Sequence, residues 1–231
     1  MTPVLLPGNM CDARLWTSTI RAALPGAVDA DTTRDDTIEG MAARALAAAD
    51  GPLLPVGFSM GAIVALAMAR RAPDRIAGAV LIGLNAGADL PERSAHRPAQ
   101  QAEVRAGELE RVLVEELKPN YLSAANRGNA ALLALLRDMG LALGPGVFVR
   151  QSEALRTRPD LTPALAALDV PVALLCGAED ALCPPAWHER WRRLTGRATL
   201  TVVPGCGHML PLEAPAAVVA AIQSLPLKVS A

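Results

Sequence analysis

Aromatic residues are scarce in this chain: three Trp, one Tyr and two Phe, 3% of 231 residues. That scarcity removes the stacking platforms on which single-stranded nucleic acid is bound. Charge of one sign is lacking as well. There are 22 Lys and Arg against 23 Asp and Glu, for a net charge of −1, with both signs spread along the chain. Neither a basic block nor an acidic tail is present, and no nucleic-acid partner is expected. No apolar run approaches the roughly 20 residues of a membrane span, so no membrane partner is expected either. Met1-Thr2-Pro3-Val4-Leu5-Leu6-Pro7-Gly8 has no basic start and only a short apolar stretch, unlike an export signal. The cytoplasm is the expected location. Cys11, Cys176, Cys183 and Cys206 lack C-x-x-C spacing, which argues against a zinc knuckle or redox pair and for thiols packed as small hydrophobes.

What is abundant is apolar: 52% hydrophobic against 19% charged residues, in a length that suits one well-buried domain with an insertion. Strand-like runs lie at Val4–Leu6, Ala27–Ala30, Leu53–Val56, Ala79–Ile82, Val172–Cys176 and Leu200–Val203. Most are short, apolar on both faces and bounded by Gly or Pro, as in a parallel sheet covered on both sides. Helices are predicted between them: Asp12–Leu24, Met41–Ala49 behind an Asp36/Glu39 capping box, Met60–Arg71, Pro185–Leu194 and Pro215–Leu225. This alternation predicts α/β architecture with right-handed crossovers. It lapses between Leu84 and Asp169, where amphipathic pieces such as Glu103–Lys118 and Ala130–Leu143 predict an all-helical insertion over the sheet.

Gly57-Phe58-Ser59-Met60-Gly61 stands where a predicted strand becomes a predicted helix. A G-x-S-x-G in that context is a nucleophile elbow, a strained turn that pushes the serine hydroxyl out at the top of the sheet. Met60 opens the helix, and its N–H points at whatever charge develops beside Ser59. A serine nucleophile needs a base, and the base an acid to orient it. Of three histidines, His208 lies in the Gly-rich loop after Leu200–Val203, while His96 and His188 read as surface residues. After Val172–Cys176, Glu179 and Asp180 offer the acid, and Asp180 is favoured. Taken alone Asp180 reads as a turn residue or cap; the order Ser59, Asp180, His208, one per strand end, changes that weighting.

With GFSMG, GAEDALCPP and PGCGHMLPLEAP in that order, the chain resembles the α/β-hydrolase fold family across nearly its whole length. The resemblance implies a core of about six mostly parallel strands over residues 1–87 and 168–231, with a helical cap at 88–167. It implies that the N–H groups of Asn9 and Met60 form an oxyanion hole, with Met10 the next donor in line and Pro7 in place of the family's usual histidine. Pro7-Gly8-Asn9 is also simply a good turn. The family's two-strand meander before this first strand has no counterpart here, which would expose a sheet edge and favour a homodimer.

The activity so implied is hydrolysis of an ester, thioester or lactone of a small to medium, largely apolar molecule, with no cofactor and no metal. A metal held by Cys11, Cys183, Cys206 and His208 competes poorly with the triad reading of the same loops. Candidate substrate contacts are Met10, Tyr121, Arg127, Arg150 and Met209, with Arg158 a further arginine able to meet a carboxylate. The alternatives are the same triad running C–C hydrolysis, elimination or perhydrolysis, and a binding module that has lost catalysis.

Overall fold

Six short apolar segments pair side by side, all parallel, in the order β2-β1-β3-β4-β5-β6. They are β1 Thr2–Leu6, β2 Val28–Asp29, β3 Leu53–Phe58, β4 Ala79–Ile82, β5 Val172–Gly177 and β6 Ala198–Val203. The computed structural model describes residues 1–117 and 121–227. Lys118, the end of one predicted amphipathic stretch, lies outside the described residues. Every residue of β3, β4 and β5 is buried, which is why these three read as continuous apolar runs. At the edge, β6 alternates between half-buried and exposed positions.

Alternate side chains feed two separate cores. Val4, Leu6, Leu53, Leu81 and Leu174 pack with α2 (Ile38–Ala47) and α3 (Met60–Arg71). Leu5, Val56, Val80, Ile82 and Leu175 face the other way, toward α1 (Ser18–Ala22) and, near the C-terminus, Val218, Ala221 and Ile222. The predicted helix Asp12–Leu24 is in fact two pieces, a 3-10 turn at Ala13–Leu15 and then α1, because Thr17 caps a new start by accepting from the Ile20 N–H. Likewise the cap of α2 is Thr37, which accepts from Gly40, rather than the Asp36/Glu39 box.

Between β4 and β5 the described regular elements are all helical: α4 Pro91–Arg105, α5 Leu109–Arg111, a π turn at Val112–Leu117, α6 Ala130–Thr157 and α7 Thr162–Ala166. A third apolar cluster joins Val104, Val112 and Leu113 to Val147 and Phe148 of α6. By length and composition α6 could cross a membrane, which corrects the expectation that no stretch approaches such a span. The helix is broken at Gly144 (φ 79°, ψ 173°), ahead of Pro145, and neither half has the roughly 20 residues a span requires. The chain continues through α8 Pro185–Leu194, α9 Leu210–Glu213 and α10 Pro215–Ser224.

The tightest packing is where α3 meets β1. All ten residues Met60–Ala69 are buried, and a Cβ on Gly61 would overlap the Leu6 carbonyl. Because that neighbour is backbone, it cannot swing aside. Gly61→Ala is therefore expected to destabilise the fold by about 3 kcal/mol, read from urea unfolding. A change within about 0.5 kcal/mol, the range of surface substitutions, would show that the approach is not fixed.

Candidate active site

The strands are parallel, so their C-terminal ends share one edge, where ligands bind in open α/β sheets. Five loops meet there. After β3 the backbone turns into α3 at Ser59, whose φ of 52° and ψ of −112° are rare for a residue with a side chain. Its N–H donates to the Ile82 carbonyl of β4 at 2.8 Å, which fixes the turn against the neighbouring strand. His208, on the loop after β6, places Nε2 3.0 Å from Ser59 Oγ and Nδ1 2.7 Å from Asp180 Oδ2. With Nδ1–H donated to the carboxylate, Nε2 is left to accept the serine hydroxyl.

Asp180 is itself held by two backbone N–H groups, from Leu182 at 2.9 Å and Cys183 at 2.8 Å, both on Oδ1. Burial raises its carboxyl, but His208 and these donors outweigh that, and the group sits below the ordinary carboxylate value. Glu179, the other candidate acid, is exposed and instead accepts from the Ala124 N–H. The imidazole is boxed in by Phe58 and Tyr121, with ring centroids at 5.0 and 5.8 Å. It lies so close to Gly83 that a Cβ there would come within 2.9 Å of the ring.

Two positioning residues escape the sequence reading. Glu213 accepts from Gly207 (2.9 Å), Ser123 (2.8 Å) and Asn126 (3.1 Å), tying the His208 loop to the Tyr121–Asn126 turn. Gln151, fully buried on α6, accepts from Met10 N–H (2.8 Å) and Asn9 Nδ2 (3.2 Å) and donates to the Thr32 carbonyl. Its signal was an uncharged polar residue on a helix otherwise facing apolar neighbours. Because Gln151 takes the Met10 N–H, that group is not available to a substrate, and Met10 borders a small side pocket rather than the main cavity. Asn9 and Met60 both line the main cavity, and no hydrogen bond to either backbone N–H is found among the described residues.

That cavity, about 340 Å³, opens onto Ser59 and His208. Phe58, Ile63, Leu155 and Met209 contribute apolar wall, and Tyr121 also lines it. Neither Arg127 nor Arg150 does: Arg127 is exposed on a turn, and Arg150 donates to the Thr33 carbonyl at 2.8 Å. The expectation of a surface His188 is also corrected. It is fully buried, accepts from the Leu84 N–H at 3.0 Å, and burial lowers its pKa. His96 is exposed, as expected, at the cavity's rim.

Cys183, Asp180 and His208 bring three ligand atoms within 4.8 Å of one another. Their chemistry does not suit a metal. Both triad atoms that would ligate are committed to each other, and burial raises the Cys183 thiol so that it stays protonated. Cys11 also lines the cavity, and all four cysteines are buried.

Over residues 4–221 the sequence matches the alpha/beta hydrolase family. The chain belongs to that family. Among relatives, a pimeloyl-[acyl-carrier protein] methyl ester esterase of Neisseria meningitidis is 29% identical over 80% of this chain and 73% of its own length. A 2-succinyl-6-hydroxy-2,4-cyclohexadiene-1-carboxylate synthase of Serratia proteamaculans is 31% identical over 73% of this chain and 66% of its own. Among solved structures, a thermophilic esterase from Thermogutta terrifontis with malate bound superposes with a TM-score of 0.87. It has 27% identity and covers 96% of this chain and 88% of its own.

Beside the cavity Asp89 bridges two arginines, with Arg158 Nη1 at 2.9 Å and Arg97 Nε at 2.7 Å. Burial raises this carboxyl, but the two guanidinium groups outweigh burial and hold it below its ordinary value. Its stabilising effect is therefore full above the unfolded pKa, about 3.9, and is lost as the pH falls through the folded one. Asp89→Asn leaves a buried Arg158 without its counter-charge, at a cost of about 3–5 kcal/mol near neutrality. Urea titrations at pH 7 and pH 3 should show this gap narrowing in acid; an unchanged gap would mean that the loss is steric.

Proposed function

We propose that this alpha/beta hydrolase is a serine hydrolase acting on a carboxylic ester, thioester or lactone through an acyl-enzyme. The observation that carries the reading is the hydrogen-bonded chain from Ser59 Oγ through His208 to buried Asp180, opening on a cavity. His208 Nε2 removes the Ser59 proton as Oγ attacks the carbonyl carbon, and Asp180 stabilises the imidazolium that results. The oxyanion is received by the Asn9 and Met60 N–H groups, each such donor worth about 2.7–4 kcal/mol. His208 returns the proton to the leaving alcohol or thiol. Water, deprotonated by the same nitrogen, then releases the acid. These steps need nothing beyond the chain's own groups and water. Small-molecule esters are the proposed partners and the cytoplasm the proposed location.

A second reading keeps the same residues but uses His208 and Ser59 to abstract a proton and drive an elimination. What favours a non-hydrolytic reading is that one relative, 31% identical over the aligned residues, is named as a synthase and not as an esterase. The two differ in whether an acyl-enzyme forms.

A fluorophosphonate probe is expected to label the wild-type protein and not Ser59→Ala. Turnover of short p-nitrophenyl esters should fall by about a thousandfold or more in the variant, with its thermal unfolding little changed. Labelling of the variant at another residue would overturn the assignment of Ser59. Labelling of wild type without ester turnover would move the weight to the elimination.

A further inference from the structure

One face of α4 is polar where it meets the cavity. Arg93, His96, Arg97 and Gln100 recur at the spacing of a single helical stripe, and all four line it. Two of them are already engaged, since His96 and Gln100 meet Glu116, whose charge is matched by Arg111 at 2.9 Å. Arg97 and Arg158 share one carboxylate, Asp89, and Arg158 also donates to the Gly87 and Leu155 carbonyls. Arg93 has no ion pair among the described residues; its one hydrogen bond is to the Leu182 carbonyl at 3.5 Å. Leu182 adjoins the loop that holds Asp180. Of the three guanidinium groups on this wall, Arg97 and Arg158 are thus matched by Asp89 and Arg93 is not, in a cavity that Phe58, Ile63 and Leu155 also line.

We propose that Arg93, with Arg97 beside it, is an anion subsite that selects esters or lactones carrying a carboxylate away from the scissile carbonyl. The inference deepens the hydrolase reading and rests on it. A guanidinium in a partly desolvated pocket binds carboxylate through charge-assisted, paired hydrogen bonds. The apolar body of such a molecule meets Phe58, Ile63 and Leu155, which line the same cavity as Arg93 and Ser59. Neutral esters of equal length bind without this contact.

The test compares monomethyl adipate, which carries one free carboxylate, with dimethyl adipate, by methanol release from wild-type protein. The expected kcat/KM favours the monoanion by about tenfold or more, and its KM rises with added salt while that of the diester does not. Arg93→Gln should lower the monoanion-to-diester ratio by about tenfold, mainly through KM, and Arg93→Glu should invert the preference. Adipate should inhibit p-nitrophenyl butyrate hydrolysis competitively in wild type, and adipamide should not. This last measurement needs no variant to fold. Equal rates on the two adipates, or a ratio unmoved by Arg93→Gln, would overturn the subsite. If neither adipate nor p-nitrophenyl butyrate is turned over and the fluorophosphonate does not label, the hydrolase reading itself fails instead.

Discussion

The backbone must reverse from β3 into α3 at a single residue, and nearly everything at the site depends on that reversal. Ser59 at φ 52° carries strain on the order of 1–3 kcal/mol. Nothing local relieves it, since no side chain caps α3. What holds it is the burial of α3 along ten successive residues and its contact with the Leu6 carbonyl across Gly61. Only glycine permits that contact. The same approach brings the Pro7-Gly8-Asn9 turn up to Ser59, close enough that a Cβ on Gly8 would lie 3.4 Å from the serine's own Cβ. One packing constraint therefore sets the direction of the hydroxyl, aims the first N–H of the helix and places the second loop beside both.

His208 is positioned by the opposite strategy, many weak contacts from separate loops. Gly83 leaves room for the ring, Phe58 and Tyr121 flank it, and Glu213 pins the peptide just before it. Asp180 supplies the one strong contact. An imidazole held this way has its tautomer and plane set before any substrate arrives, which is the condition for a general base to act without reorganising. Gln151 performs the same service for the Asn9–Met10 turn, from a helix far away in sequence.

Local chemistry made the sheet and the hydrogen-bonded trio Ser59, His208 and Asp180 legible in the sequence. Buried parallel strands are apolar on both faces, the elbow needs glycines at fixed spacing, and a short list of histidines left one on a Gly-rich strand end. What the sequence hid was long-range. Asp36 and Glu39 match a capping box, yet Thr37, one residue on, caps the helix instead by accepting from the Gly40 N–H. His188 sits among Arg and Glu, as a surface residue would, but one face of its helix turns into the core. Arg150 and Arg127 were candidate substrate contacts by type alone, and type cannot tell which side of a helix or turn faces a cavity. Arg93 and Arg97 stay hidden for the same reason: their spacing gives a stripe, and only the packing of α4 against its neighbours decides where the stripe points.

The placement of charge around the cavity follows from what each arginine has to satisfy. Arg158 is nearly buried, so leaving its charge unmatched would be severe, and Asp89 with backbone carbonyls from Gly87 and Leu155 takes up its donors. The same carboxylate also accepts from Arg97, at 2.7 Å on Oδ2 and 3.3 Å on Oδ1, so both its oxygens are taken. Nothing is left for Arg93. A surplus cation is tolerable on an open surface, where water screens it, but it is costlier on the wall of a cavity that Phe58, Ile63 and Leu155 also line. A wall that keeps such a group is stabilised when an anion enters, and an anion at that wall has its uncharged portion beside Ser59. In the proposed reading, chemistry at the strand ends and selection at α4 come from different parts of the chain, and either can change while the other stays fixed.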